Sequence, residues 1–465
     1  MQITDNWTKS LMPDFTDYVI ILVYLLIMFL VATYIKNRHI DTNPVYRFYV
    51  WGLFASVFGA LAMGLIYTLY YQEGGDTIGY YRSSEAMVNL LFRDPVAYLK
   101  ILLGDESREA YSAFSKETGY PWYWGKSSSF FVVRVTSIFT FLGFKNYFTA
   151  SILFAWFFYG GSWKLFLLAT HLYPRYSNSL AFGILFFPSV IFWGSGISKD
   201  TITLAATGWF VYSVYMATLE KRNIAKNLIA VALAIYLIIY VKPYVFVAII
   251  PAFFIFLAWR SIKKIENPIL RIILLPLSLF AFLAASFGLL NLFSELLGDY
   301  GTLESIIQKA IITYEDHIRA EQYGYNFYSL GEFDGTMWDF FSKAPAAIAA
   351  GLFRPYMWEI RNPVMFLAAA ENTAFMILVL VILWKTGPIK MIKIIFDEPL
   401  VVFSLTFAIV FAFAVGISTA NFGALVRLKI PLLPFITTGL FILYHKAREI
   451  KKISTESSLN LPLHL

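Results

Sequence analysis

A side chain that is to take a proton from a bound substrate must stay ionised and must let the substrate come close. The stretch 71–81, Tyr-Gln-Glu-Gly-Gly-Asp-Thr-Ile-Gly-Tyr-Tyr, offers Asp76 both conditions. It follows a long apolar run, 49–70, and opens a polar segment. Asp76 therefore stands at the rim of a bilayer, where an acid keeps its charge without the full cost of burial in hydrocarbon. The glycine pair before it lets backbone and substrate approach each other, and Tyr80 follows as a supporting group. A turn that caps one helix and starts a loop uses the same residue types, so this stretch alone leaves both readings open.

The other ionisable groups narrow the choice. Lys199 and Asp200 follow Gly194-Ser-Gly-Ile-Ser198, Lys242 precedes Pro243, Arg354, Glu359 and Arg361 fall close together, and Arg427 and Lys429 precede Pro431. Several of them lie within a few residues of the end of an apolar run. Such a rim suits an anionic, lipid-linked substrate. Arg grips a phosphate in bidentate fashion, Lys acts as a point charge, and one acid takes a proton from a hydroxyl. Solvated loop charge is the plain alternative for any single residue; as a set on one face they point to a site. Glu371 is a separate case, about 13 Å inside the run 363–384 at ~1.5 Å per residue. An acid at that depth implies either a substrate role or a structural ion pair, with Arg134 and Lys242 as candidate partners.

Metal and nucleophile signatures are weak. A divalent cation, magnesium or manganese, held by Asp76 and Asp200 is an open alternative. The histidines are scattered, and only His317, in Tyr314-Glu-Asp-His317, lies near acids. There is no P-loop, GxSxG elbow or HExxH pair, so ATP-driven, α/β-hydrolase and zinc-protease chemistry find no support. Trp122-Tyr-Trp124 suits stacking on a sugar ring and equally an anchor at the membrane interface.

The elements that must position these residues are membrane helices. Only 14% of the chain is charged and 58% is hydrophobic, against about a quarter charged in a soluble domain. Apolar runs long enough to cross a ~30 Å hydrocarbon layer as helices recur from end to end, and the short alternating segments of a β-barrel are absent. The net charge of +7 is spread over short loops, as orientation signals are and nucleic-acid patches are not. Without cysteine the chain has no disulfides, and no cleavable signal peptide is evident.

The run 18–35 leads into Lys36, Arg38, His39 and Arg47, a basic loop expected in the cytoplasm, which puts the N-terminus outside. A first outer loop, 71–127, is expected to hold an amphipathic piece, 84–102, lying flat on the membrane. The weak run 130–144, with Arg134 inside it, reads as a juxtamembrane or re-entrant helix. Runs at 147–170, 180–193 and 201–218 follow, and Lys242-Pro243 breaks 227–259 into two. After 272–292 comes a second outer loop, 293–362, with short helices; 363–384, 399–415 and 430–444 complete the set. The expectation is an all-α polytopic protein of about eleven crossings, one transmembrane domain with its C-terminus inside, in a bacterial cytoplasmic membrane. The tail 453–465 reads as disordered.

Asp76 in a first outer loop, a juxtamembrane helix, and crossings leading to Pro188 and Lys199-Asp200 resemble the integral-membrane GT-C glycosyltransferases. That superfamily includes the protein O-mannosyltransferases, the aminoarabinose transferase of lipid A and the oligosaccharyltransferases. Arg427-Leu-Lys-Ile-Pro431-Leu-Leu-Pro434 is similar to the Pro-x-x-Pro entry to a late helix in many of them. Phe353-Arg-Pro-Tyr-Met-Trp-Glu359, with Glu371 downstream, is similar to a stretch recurring in bacterial members. The resemblance spans 49–444 through short motifs. It implies transfer of a sugar from a polyprenyl-phosphate-linked donor to a glycan or lipid acceptor on the extracytoplasmic face. Asp76 would be the base, with Asp200 supporting it or holding a metal. Lys199, Lys242, Arg354, Arg427 and Lys429 would hold the lipid phosphate, and Tyr80, Glu359 and Glu371 would support the site. The lone Asp in place of an acidic pair, an extra first helix and the lack of a soluble C-terminal domain depart from the pattern. A surface-polysaccharide polymerase or ligase is a close alternative. A flippase of lipid-linked sugars is the non-enzyme one; it calls for broken helices near the midplane, whereas here the ionisable groups crowd the outer half.

Overall fold

The computed structural model describes residues 11–71, 75–267, 301–319, 327–334 and 336–459, with scattered positions between 269 and 288. The expected crossing 272–292 and the residues 72–74 ahead of Asp76 lie wholly or largely outside that set. The described residues are helical, apart from turns and an isolated bridge between Phe327 and Asn421. Among them, seven helices are long and apolar enough to cross a bilayer, which makes this a multi-pass membrane protein. The other expected crossings take different forms. The run 180–193 is divided at Pro188, and 201–218 lies in a helix whose first turn carries Lys199 and Asp200. The stretch Pro243–Ala258 is apolar but shorter than a full span, as is Ser127–Leu142, where a juxtamembrane or re-entrant helix was expected.

The chain divides into two compact units, Met1–Leu168 with Leu185–Lys242, and Ala169–Ile184 with Pro243–Leu465. The first opens with α1 (Phe15–His39), fixed by a reciprocal Asp14/Asp17 capping box and ending in Lys36, Arg38 and His39. Acid at the start and base at the end both suit the helix dipole. Little of α1 is buried, as expected of a helix whose sides meet lipid. Next, α2 (Tyr49–Leu65) runs into a π-helical turn, Ile66–Tyr71.

The first polar segment differs from the expected surface loop. Gly75, at φ +57°, turns the chain straight into α3 (Gly75–Arg93), a conformation that L side chains rarely adopt. A Cβ there would also lie 2.4 Å from the Tyr67 ring. Helix α3 is packed within the first unit and not exposed at its surface: Ile78, Tyr80, Tyr81, Met87 and Leu90 are buried. It stops where Asp94 caps α4 (Pro95–Leu102), because proline is favoured only in the first turn of a helix. Then α5 (Ser127–Leu142) packs against α3 and buries Arg134. After α6 (Tyr147–Leu172) and α7 (Pro188–Trp193), α8 (Lys199–Thr218) begins at the Ser198 cap and packs along α9 (Ile224–Val241). The chain breaks between Val241 and Pro243, as the proline requires.

The second unit contains α10 (Pro243–Lys263), α11 (Leu303–Ile318), α12 (Ala344–Phe353) and α13 (Pro363–Thr386). It closes with α14 (Pro388–Asp397), α15 (Pro399–Ser418), α16 (Phe422–Leu428) and α17 (Leu433–Leu459). Helix α15 is its centre. On one side α12 lies so close that a Cβ on Gly351 would meet the Ala412 carbonyl at 2.3 Å, and one on Gly416 the Ala347 carbonyl at 1.9 Å. The small residues sit four apart on both helices, the spacing that lets membrane helices touch backbone to backbone. On other sides Phe403 and Phe407 pack against Phe435 of α17, and Phe403 against Phe253 of α10. Helix α17 continues into the stretch expected to be a disordered tail as far as Leu459, and 460–465 lie outside the described residues.

Candidate functional site

In the first unit Asp76 is half-buried in the first turn of α3, where the helix N-terminus favours a negative charge. Tyr123 donates its hydroxyl to Asp76 Oδ1 at 3.3 Å, and its ring lies 4.7 Å from that of Tyr80. A Cβ on Gly79 would stand 2.6 Å from the Tyr123 hydroxyl, so the glycine gives the tyrosine room beside the acid. Tyr123 is the member of Trp122-Tyr-Trp124 that reaches the site. Trp124 is instead packed edge-on against Phe114 and Phe130, and Trp122 is exposed.

Asp200 lies in the first turn of α8, and Lys242 lies at the break after α9. The Lys242 ammonium is bonded to Asp200 Oδ1, and both side chains are more than nine-tenths buried. Two buried charges are tolerated when paired in this way. Lys199 points elsewhere and donates to Ser128 Oγ at 2.8 Å, tying the start of α8 to the start of α5. One ring borders both acid-bearing segments: Gly75 lies against Tyr67, and Trp193, which leads into Gly194–Ser198, meets Tyr67 edge-on at 6.5 Å.

Arg134 is paired within this unit. It donates to Tyr240 Oη at 3.1 Å and lies 3.6 Å from Glu106, which replaces the expectation that it serves Glu371. Burial pushes the Glu106 carboxyl up, against the opposing pull of Arg134 and a hydrogen bond from Ser127.

The second unit carries its own cluster. Lys429 is fully buried and donates to Asn372 Oδ1 at 2.6 Å and to the Arg354 carbonyl at 3.2 Å. Glu371, next to Asn372, acts on Lys429 electrostatically. Arg354 is half-buried between aromatic faces, its guanidinium 4.7 Å from the Tyr328 ring and 5.6 Å from Tyr356. Its Nε faces Glu359 Oε1 at 3.4 Å, and Glu359 Oε2 accepts from the Tyr356 amide at 2.8 Å. Arg427 is half-buried near the end of α16, two residues before Lys429.

No protein-family model, curated protein or solved structure matches the chain. What the arrangement can do rests on its own chemistry. Asp76, Tyr80 and Tyr123 form a carboxylate–phenol group at the head of a helix; Asp200 with Lys242, and Arg354 with Glu359, are ion pairs. Among the described residues no three His, Asp or Glu side chains gather as a metal's donors would. Asp200 already has its charge matched by Lys242, so the pair Asp76 and Asp200 does not fit a divalent cation. Ser128, Asn372 and Tyr328 were not legible as site residues, and Tyr123 was legible only within Trp122-Tyr-Trp124, as a sugar-stacking or anchoring residue and not as a partner of Asp76. Each reaches its partner across a separation in sequence that no local motif records.

Proposed function

We propose that the protein is a glycosyltransferase acting on a polyprenyl-phosphate-linked sugar, with the hydroxyl of a glycan or lipid as acceptor, on the extracytoplasmic face of a bacterial cytoplasmic membrane. The observation that carries this reading is Asp76. It is a half-buried carboxylate heading a packed helix directly after a membrane span, with a phenol hydrogen-bonded to one of its oxygens.

In this mechanism Asp76 takes the proton from the acceptor hydroxyl as the acceptor oxygen bonds to the anomeric carbon. The bond from that carbon to the phosphate oxygen breaks, and the phosphate leaves with the electron pair, inverting the anomeric centre. General-base assistance of this kind contributes roughly 10²–10⁴-fold, and cations aimed at the departing phosphate stabilise its growing charge. Within the unit that holds Asp76, Lys199 is the phosphate-binding candidate. Lys242 and Lys429, both buried and hydrogen-bonded, hold the chain in place rather than touch the substrate. The polymerase or ligase alternative uses the same step with a larger donor.

The test is purified protein in liposomes supplied with polyprenyl-phosphate sugars and a glycan acceptor. The expected result is a new glycosidic bond with release of polyprenyl phosphate. Lipid-linked sugar that crosses the bilayer with no bond formed would make the protein a flippase and overturn the reading.

A further inference from the structure

A second cationic feature lies away from the groups above, where several helices of the second unit end together. A cavity of about 390 Å³ is lined by His445, Arg448, Glu449, Lys451 and Lys452 of α17. Its wall is firmly built. The His445 ring stacks on Tyr176 at 4.5 Å and its Nε2 is hydrogen-bonded to Ser179 Oγ at 2.8 Å. The ammonium of Lys446 pairs with Glu398 at 2.9 Å, pinning α17 to the start of α15.

Helix α14 touches α13, α15 and α17, and the Glu398 that ends it is the one paired with Lys446. It turns Ile394 inward and leaves Ile389 at 84% and Ile392 at 50% exposure, with Lys390 and Lys393 also exposed. Trp384, at the end of α13, is 84% exposed, and the Lys385 beside it reaches the ring of Tyr444. A short helix between two spans, with isoleucines and lysines on one outward face and an exposed tryptophan at its head, has the make-up of a helix lying in the headgroup layer. Among the described lining residues Glu449 is the one acid, against three Lys and Arg side chains.

We infer that this corner of the second unit binds the headgroup of an anionic phospholipid, its phosphate in the cavity of Arg448, Lys451 and Lys452 and its acyl chains along Ile389 and Ile392. Charge complementarity selects the occupant, since a juxtamembrane cation cluster attracts an anionic leaflet and a zwitterionic headgroup offers it no net charge. The apolar outward face of α14 selects a lipid over a free anion. This inference is independent of the proposed glycosyl transfer.

The test uses the full chain reconstituted in vesicles of equal phosphatidylglycerol and phosphatidylcholine, then extracted in mild detergent. The retained lipid is expected to be enriched in phosphatidylglycerol by about fivefold. Lys451→Gln/Lys452→Gln and Lys390→Gln/Lys393→Gln should each lower that enrichment, with an unchanged size-exclusion profile. Lys100→Gln/Lys116→Gln, exposed in the first unit, should leave it unchanged. A retained ratio equal to that of the vesicles overturns the proposal, as does enrichment that both test variants keep in full. Complete displacement of the lipid by inorganic phosphate at matched ionic strength would make this an anion site rather than a lipid site, and would also overturn it.

Discussion

The buried pair of Asp200 and Lys242 shows how residue chemistry sets limits on this chain. Removing one partner leaves the other charged in a place without water, which costs about 3–5 kcal/mol. Asp200→Asn and Lys242→Met should therefore each lower the thermal unfolding temperature sharply. The double variant removes both charges together and should cost much less than the sum of the two. Additive losses would show that the two side chains do not depend on each other. Both residues were legible in the sequence as site candidates, but their pairing was not, because they stand 42 residues apart. The same holds for Tyr123 and Asp76, 47 apart. Residue type marks which groups can carry charge at a membrane rim, and tertiary packing decides which of them meet.

At the scale of elements, the apolar runs and the break at Pro243 were plain in the sequence, while the helix that begins at Asp76 was not. Gly74, Gly75 and Gly79 made the region around Asp76 look like a loop. In the fold α3 forms there because Ile78, Tyr81, Met87 and Leu90 are buried around most of the helix, and that burial outweighs a glycine penalty of about 1 kcal/mol. The segment 293–362, expected to carry short amphipathic helices, holds α11, an amphipathic helix lodged against α15. Near its end, burial holds the His317 imidazole below its usual range, against the pull of Asp316 and a hydrogen bond to the Ser418 backbone. A depressed folded-state pKa means that the unfolded state takes up the proton first as the pH falls. The contribution of neutral His317 is thus full above pH 6.5, the value for the group in its ordinary state, and is lost as the pH falls through the lower folded-state value. The protection factor over Leu303–Ile318, which is corrected for the slower intrinsic amide exchange at low pH, should fall on acidification below that pH, and His317→Phe should flatten the dependence. A protection factor that rises on acidification would contradict the assignment.

At the scale of the whole molecule, the described residues hold seven candidate spans, the chain divides into two compact units, and the candidate groups Asp76 and Asp200 stand in the first turns of their helices. Loop charge sets the proposed orientation, and the lack of native cysteine makes it simple to check. With Thr42→Cys, in the exposed turn after α1, an impermeant thiol reagent should label intact cells only after permeabilisation. Labelling of sealed cells would invert the topology and place the Asp76 segment in the cytoplasm, away from an extracytoplasmic donor. The most direct measurement of the central claim is the single-turnover rate of sugar transfer from polyprenyl phosphate by purified wild-type protein and by Asp76→Asn. Losing the base should slow transfer by roughly 10²–10⁴-fold with the thermal unfolding profile unchanged. Equal rates in a folded Asp76→Asn protein would contradict the account.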